Sequence, residues 1–574
     1  MGVEKNPPID IDVEKLSSDN ESVSNTGSST SNSINDFKAK INIEKHGITK
    51  RGLNSRHVNL MIISQSIGSG LFISVKTPLV TSGSLGFFIA FAIWAFLVVY
   101  PLMQAVGILC CYLPIKGSFF HYCARYVDSS LGFAASMIYI YTTMMFVCLE
   151  ATAVAQCISY WTNLNPGVWI TICILLYLMM GLIGVNYYGE IEFYTGIMKI
   201  LLIVGLMLFS LISMCGGNSK GDAYGFRNWH PLFKPYLVDG NTGKFLAFWN
   251  SLLWAAFAAG GADNLALIAG EVINPRKNVA MAAKRSYIRI YLFYIGGIFF
   301  LNSLISANNP QLLDAMTNGG EGAAGSPWVI GIKAVGVKGL DSLINALIMS
   351  SAFSCGNAFF YCSTRSIYSA AIAGYLPRFF GKCLKNGAPV YCVLLTFAVS
   401  LLSYLNVSNS GTVVFNWFVN LCATGIICAY LCIWWSYFNF RKAWEKQNNM
   451  KMKHSQYPYY LGPKFLHPFM TYAGLIITVL VLIFNGFWIF FPGNFNASNF
   501  LTSYFAPIFL VCLFIFWKIL KRTKFKTSSN ADITSDLKEI DEELEAEINE
   551  LENKPKSNNK FLKIVHKINS FLFD

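Results

Sequence analysis

Long apolar runs separated by short polar loops dominate the chain, and each is near or above the ~20 residues an α-helix needs to cross the hydrocarbon of a bilayer. The runs lie at 58–80, 85–113, 131–161, 167–187, 193–215, 245–271, 286–306, 340–373, 390–406, 412–438, 467–491 and 501–520. They predict twelve spans and an all-α polytopic membrane protein. The 340–373 run is the least defined, because a long helix can tilt or include an interfacial turn. Residues 1–50 are rich in Ser, Asn and Asp and contain no apolar core, so they read as a disordered cytoplasmic tail and not as a signal peptide. Residues 51–525 form the membrane domain, and 526–574 are expected to be a second cytoplasmic tail. In that second tail an acidic, helical run, Asp532–Glu552, precedes a basic amphipathic stretch, Lys560–Phe573, that reads equally as a helix on an anionic membrane surface or as a solvated one.

Composition supports this reading. The 574 residues are 54% hydrophobic and 13% charged, about half the charged share of soluble domains, which excludes an ordinary soluble enzyme. The net charge of +13 is concentrated beside apolar runs. Lys50, Arg51 and Arg56 precede span one, Lys116 and Arg125 follow span two, and Arg276, Lys277, Lys284 and Arg285 follow span six. The parity continues after spans eight, ten and twelve, whereas the loops after spans three, nine and eleven carry no charge. Both termini are therefore expected in the cytoplasm, and the basic excess faces anionic lipid, not nucleic acid. The N-x-S/T sites at Asn406 and Asn496 would then lie outside and Asn20 inside. The fifteen cysteines are scattered through apolar runs without metal-site spacing, as expected of small helix-packing residues.

Helix breakers and ionisable groups inside a span must be compensated by a partner, a cavity or a ligand. Span one contains Ser64-Gln65-Ser66-Ile67-Gly68-Ser69-Gly70, and span six contains Ala258-Ala259-Gly260-Gly261-Ala262-Asp263-Asn264. Paired interruptions five helices apart fit two inverted five-helix repeats with broken helices at the bilayer midplane. Backbone N–H groups at a half-helix start favour a carboxylate and freed carbonyls at a half-helix end favour an ammonium, so the pair suits a zwitterionic α-amino acid. The plainer reading is close packing through small residues. Lys199, in the span-five run, is either a residue that gains and loses a proton or a lysine snorkelling to the cytoplasmic interface. Glu150, in the middle of span three, is either a proton site or a structural partner of a polar group. Glu271 precedes Asn274-Pro275-Arg276-Lys277 and reads as interfacial. The histidines lie in predicted loops, tails or span edges, and no phosphate-binding loop is present, so neither intramembrane metal chemistry nor nucleotide hydrolysis is expected and an ion gradient is left as the energy source. No cofactor is implied.

Several motifs, in order, resemble the fungal amino-acid permeases, the yeast amino acid transporter family of the amino acid-polyamine-organocation superfamily. They are Ile67-Gly68-Ser69-Gly70-Leu71-Phe72, Pro114-Ile115-Lys116-Gly117-Ser118-Phe119, Tyr187-Tyr188-Gly189-Glu190-Ile191-Glu192-Phe193, Ala269-Gly270-Glu271, Ser363-Thr364-Arg365, Gly374-Tyr375-Leu376-Pro377 and Asn386-Gly387-Ala388-Pro389. The resemblance covers about residues 50–530. It implies a 5+5 inverted-repeat fold plus two helices, plasma-membrane residence and proton-coupled uptake of L-amino acids. By position it places the substrate carboxylate at Ser66, Gly68, Ser69 and Gly70, and the amino group and side chain at Phe257, Ala258, Ala259 and Asp263. It assigns proton coupling to Lys199, with Glu150 and Asp263 as the accompanying carboxylates. The chain departs from the family in having Ser64-Gln65 where a glycine pair is usual, and Ala259 and Asp263 where an aromatic and a glutamate are usual. The alternative implied by the same fold is an amino-acid receptor that does not transport. Lys5, Lys15, Lys38 and Lys40 in the first tail are either ubiquitin acceptors or solubilising charges.

Overall fold

The computed structural model describes residues 60, 62 and 64–545, apart from 115–117, 184, 270–274, 318–325, 338, 385, 409–410, 450–466, 536, 539 and 543–544. The described residues are helical and contain no strand. Glu271, Asn274, Asn20, the tail lysines and the Lys560–Phe573 stretch lie outside them.

Span one is interrupted at Ile67–Gly68, resumes with a π-helical turn at Gly70–Ser74 and ends at Gly83, whose φ of +77° only glycine adopts easily. Span two continues from there to Tyr112. Span three is Ser129–Ile158, span four Pro166–Leu182 and span five Val185–Met214. Span six is two helices, Gly240–Ala258 and Ala262–Ile268, and span seven runs from Pro275 to Leu304 through a π-helical turn at Tyr291–Ile295. Spans eight to twelve are Leu340–Ile372, Val390–Ser408, Gly411–Gln447, His467–Ile483 and Ala497–Lys521. The 340–373 run is thus a single unbroken helix. The loop before it carries two short helices, Pro310–Thr317 and Pro327–Val335, that hydropathy did not reveal.

Two boundaries differ from expectation in a way that matters for the site. Span four stops at Leu182 and span five begins at Val185, so Glu192 lies within a helix and not in the preceding loop. Two glutamates among residues 188–192 lower the local hydropathy, but packing, not composition, makes this segment helical. The layering follows burial. In span three 89% of the apolar window is buried, against 11% in span twelve. The exposed side chains of spans four, five and twelve, such as Met179, Leu201, Leu208, Ile508 and Ile519, are large and apolar. Such a belt would be untenable in water and matches hydrocarbon. Spans three, eight and ten pack together, and spans one and two lie against span six.

The second tail is not simply solvated at its start. Lys526 N–H donates to Val127 O (2.8 Å), Gln447 Nε2 donates to Ala531 O (2.7 Å), Arg125 pairs with Asp532 (3.1 Å), and Arg276 pairs with Asp541. Ile533 and Ala531 are buried beneath these contacts. Burial alone would raise the Asp532 carboxyl, but the Ser535 N–H and the Arg125 guanidinium outweigh it and hold it below its ordinary value. Asn406 is buried and therefore closed to a glycan, and Asn496 accepts the Ser498 N–H (2.9 Å) as the cap of span twelve.

Candidate functional site

The last carbonyls of an α-helix have no partner within it, and the half-helix before the span-one break ends inside the protein, away from water. Each of its final four carbonyls takes a donor from another span. Ser64 O accepts from Lys199 Nζ (2.6 Å), Gln65 O from Cys355 Sγ (3.3 Å), Ser66 O from Tyr294 Oη, and Ile67 O from Ser351 Oγ (3.3 Å). Tyr294 also donates to Ala258 O (2.6 Å), so a single hydroxyl joins the carbonyl ends of both broken helices. The sequence suggested free carbonyls for a substrate ammonium. They are already occupied by protein donors, because the interior offers no water to satisfy them.

The N-terminal side of the span-one break is occupied as well. Ser69 N–H lies 3.2 Å and 3.3 Å from the two Glu150 carboxylate oxygens, and Ser69 Oγ donates to Oε1 at 2.9 Å. A carboxylate of the protein thus sits at the anion-favouring end of the half-helix. Gly68 permits the approach, since a Cβ there would fall 2.6 Å from Glu150 Oε1 and 2.5 Å from Cys355 Sγ. Gly261, at φ +116°, performs the same service in span six, where a Cβ would meet Ser66 Oγ at 2.6 Å.

Between the two breaks lies a closed-down cavity of about 30 Å³ lined by Gln65, Ser66, Gly68, Gly70, Glu150, Phe257, Ala258, Asp263 and Cys355, among others. It has room for about two waters, so an amino acid enters only when its walls move. Gln65 Oε1 and both Asp263 oxygens are buried and make no hydrogen bond of ordinary geometry among the described residues. Phe146 stacks on Phe359 (4.1 Å) and on Phe257 (5.9 Å), forming an apolar wall across spans three, six and eight. Of the positions expected from sequence, Ser66, Gly68, Gly70, Phe257, Ala258, Asp263 and Glu150 line this cavity. Ser69 supports it through Glu150. Ala259 is buried but does not line it, and Lys199 stands behind span one at Ser64. Lys199 is fully buried and hydrogen-bonded, which excludes the snorkelling reading. A larger cavity of about 280 Å³ lies among outer loops around Asp222, Arg227 and Asn308 and contains none of these residues.

The two broken helices, with their ends compensated by other spans, meet at the small buried cavity. The profile of the Amino acid permease family matches residues 57–530, which contain every residue of the site. The chain belongs to the amino acid permease family. Similar relatives include the proline-specific permease of Emericella nidulans, 36% identical with 90% of this chain and 93% of that protein covered. A probable proline-specific permease of Schizosaccharomyces pombe is 38% identical over 79% of this chain and 82% of the relative. The lysine-specific permease of Saccharomyces cerevisiae is 32% identical over 87% and 80%. The permease is therefore an amino-acid transport protein of the multi-pass membrane class and not an enzyme.

Among the contributors that escaped sequence reading are Tyr294, Cys355, Ser351, the Phe146–Phe359 pair and Glu192. Tyr294 and Cys355 sit in apolar runs where a tyrosine or cysteine is ordinary, and only the fold brings them to span one. Glu192 was visible as a carboxylate in the Tyr187–Phe193 motif, but its placement outside the helix hid it.

Proposed function

We propose that the permease takes up L-amino acids across the plasma membrane in symport with protons, by alternating access around the cavity between spans one and six, with both termini cytoplasmic. The observation that carries this reading is the Glu150 carboxylate on the Ser69 N–H. Substrate carboxylate and Glu150 compete for one anion site. A proton arriving from outside neutralises Glu150 and frees Ser69 for the substrate carboxylate, so proton and substrate enter together. The substrate ammonium then faces Asp263 and Gln65 Oε1. Lys199 of span five donates its Nζ to the Ser64 carbonyl on the last turn of the first half-helix, where the helix dipole favours a cation, and it lies near Glu150 and Glu192. Proline is the first substrate to test, because two of the most similar relatives are named as proline-specific and the Phe146–Phe359 wall suits a small apolar side chain.

The test is uptake of a panel of radiolabelled L-amino acids by a cell lacking its own permeases, at acidic and neutral external pH, with and without a protonophore. Accumulation that collapses with the gradient is expected. Ligand binding at the surface without uptake of any amino acid would overturn the reading and favour a receptor. Lys199→Ala is expected to retain binding and lose accumulation against a gradient; unchanged accumulation would remove Lys199 from the coupling.

A further inference from the structure

A second buried carboxylate, Glu192, lies near the start of span five, the end that the proposed orientation makes cytoplasmic. Glu192 precedes Lys199 by seven residues on span five, about 10 Å along the helix at 1.5 Å per residue. It is fully buried. Span one gives it Ser64 Oγ (2.5 Å), and span eight gives it Ser354 Oγ (3.2 Å) and Asn357 Nδ2 (2.9 Å). Ser64 and Ser354 are also bonded to each other (2.9 Å). One turn further out, Tyr188 stacks on Tyr361 (4.0 Å), whose other neighbour is the Arg365 guanidinium (4.9 Å).

Span one meets spans five and eight below the cavity at this node, and a path from cavity to cytoplasm requires them to part there. We propose that Glu192 is the latch of the cytoplasmic gate and the residue through which the transported proton opens it. As a carboxylate it accepts from three side chains on two helices and ties span one to span eight. With the proton on one oxygen it becomes a neutral carboxylic acid, which holds Ser64 and Ser354 less tightly than the anion does, so the tie between span one and span eight weakens at this node. The proton then leaves to cytoplasmic water, and the regenerated carboxylate closes the latch again. The charged group facing Glu192 is Lys199 on its own helix; span one and span eight present uncharged Ser64, Ser354 and Asn357, while Glu150 and the Cys355 thiol face Lys199.

The proposal rests on the symport reading, and one experiment separates the two. The full chain is reconstituted in liposomes, and a radiolabelled mixture of proteinogenic L-amino acids is used to measure accumulation driven by an inward proton gradient and exchange at equal pH. Glu192→Gln, a neutral isostere of the protonated latch, is expected to lose at least tenfold in gradient-driven accumulation, with a flattened pH profile, and to lose several-fold less in exchange at equal pH. Glu192→Asp, which keeps the charge, is expected to retain the pH profile at reduced rate. Gradient-driven accumulation by Glu192→Gln equal to wild type would overturn the proposal alone. A parallel loss of exchange and accumulation in both variants, with an unshifted pH profile, would make Glu192 merely structural and also overturn it. A wild-type flux indifferent to the gradient would remove the symport reading together with the latch.

Discussion

Gly68→Ala tests the competition between Glu150 and substrate at its tightest point. The new Cβ would lie 2.5 Å from Cys355 Sγ, 2.9 Å from Cys355 Cβ and 2.6 Å from Glu150 Oε1, where carbon contacts settle near ~3.5–4.0 Å. An overlap of about 1 Å with three atoms cannot be absorbed by one rotamer change, because the thiol is held on Gln65 O and the carboxylate on Ser69. Overpacking of this kind costs about 1–3 kcal/mol. Displacing Glu150 forfeits charge-assisted hydrogen bonds of about 1.5–3 kcal/mol and with them the link between its protonation and substrate entry, so gradient-driven uptake is expected to fall roughly 10- to 100-fold. The assay is initial-rate uptake normalised to surface protein, with Gly205→Ala as the matched control. Gly205 lies on span five with nothing within 4 Å of its Cβ position, and its alanine variant is expected to transport normally. Wild-type uptake by Gly68→Ala would refute the close approach of Glu150 to span one and, with it, the shared anion site.

Two further outcomes are expected. Tyr294→Phe removes the single hydroxyl hydrogen shared between the Ser66 and Ala258 carbonyls; at about 1 kcal/mol for that bond, uptake is expected to fall roughly fivefold at unchanged surface level, and an unaffected rate would show that the two half-helices do not need this tie. Ile533→Asp removes the apolar anchor of the docked tail, worth about 1.5–3 kcal/mol, more than its partly exposed ion pairs at ~0–1 kcal/mol each, and limited proteolysis of the purified protein is expected to cleave near residue 533 only in the variant. Because the Asp532 carboxyl is held below its ordinary value, its share of the docking is full above the ordinary carboxylate pKa of about 3.9 and is lost as pH falls through the lower, docked value. Proteolysis rates of wild type are therefore expected to be flat from about pH 8 to 5 and to rise only in stronger acid; a rise near neutral pH would contradict the assignment.

Hydropathy alone determined the membrane class and nearly every span, because the bilayer imposes one length and one solvent on each helix and leaves a twenty-residue mark in the chain. Breakers in spans one and six were legible for a related reason: glycine and serine runs are conspicuous in an apolar helix, and Asp263, Glu150 and Lys199 stand out wherever a charge is costly. What answers those residues was not legible. The four carbonyls of the first half-helix are met by Lys199, Cys355, Tyr294 and Ser351, which lie 135 to 290 residues away in the chain and carry no local mark of that role. Ser64 shows most clearly how sequence and fold divide the work. As a sequence position it is one polar residue in an apolar run, whereas in the fold its carbonyl receives Lys199 and its hydroxyl donates to Glu192, so it stands between the two buried ionisable groups of span five. Composition and periodicity report how each segment meets its solvent. Which buried group compensates which is a matter of distances between helices, and only tertiary packing decides those.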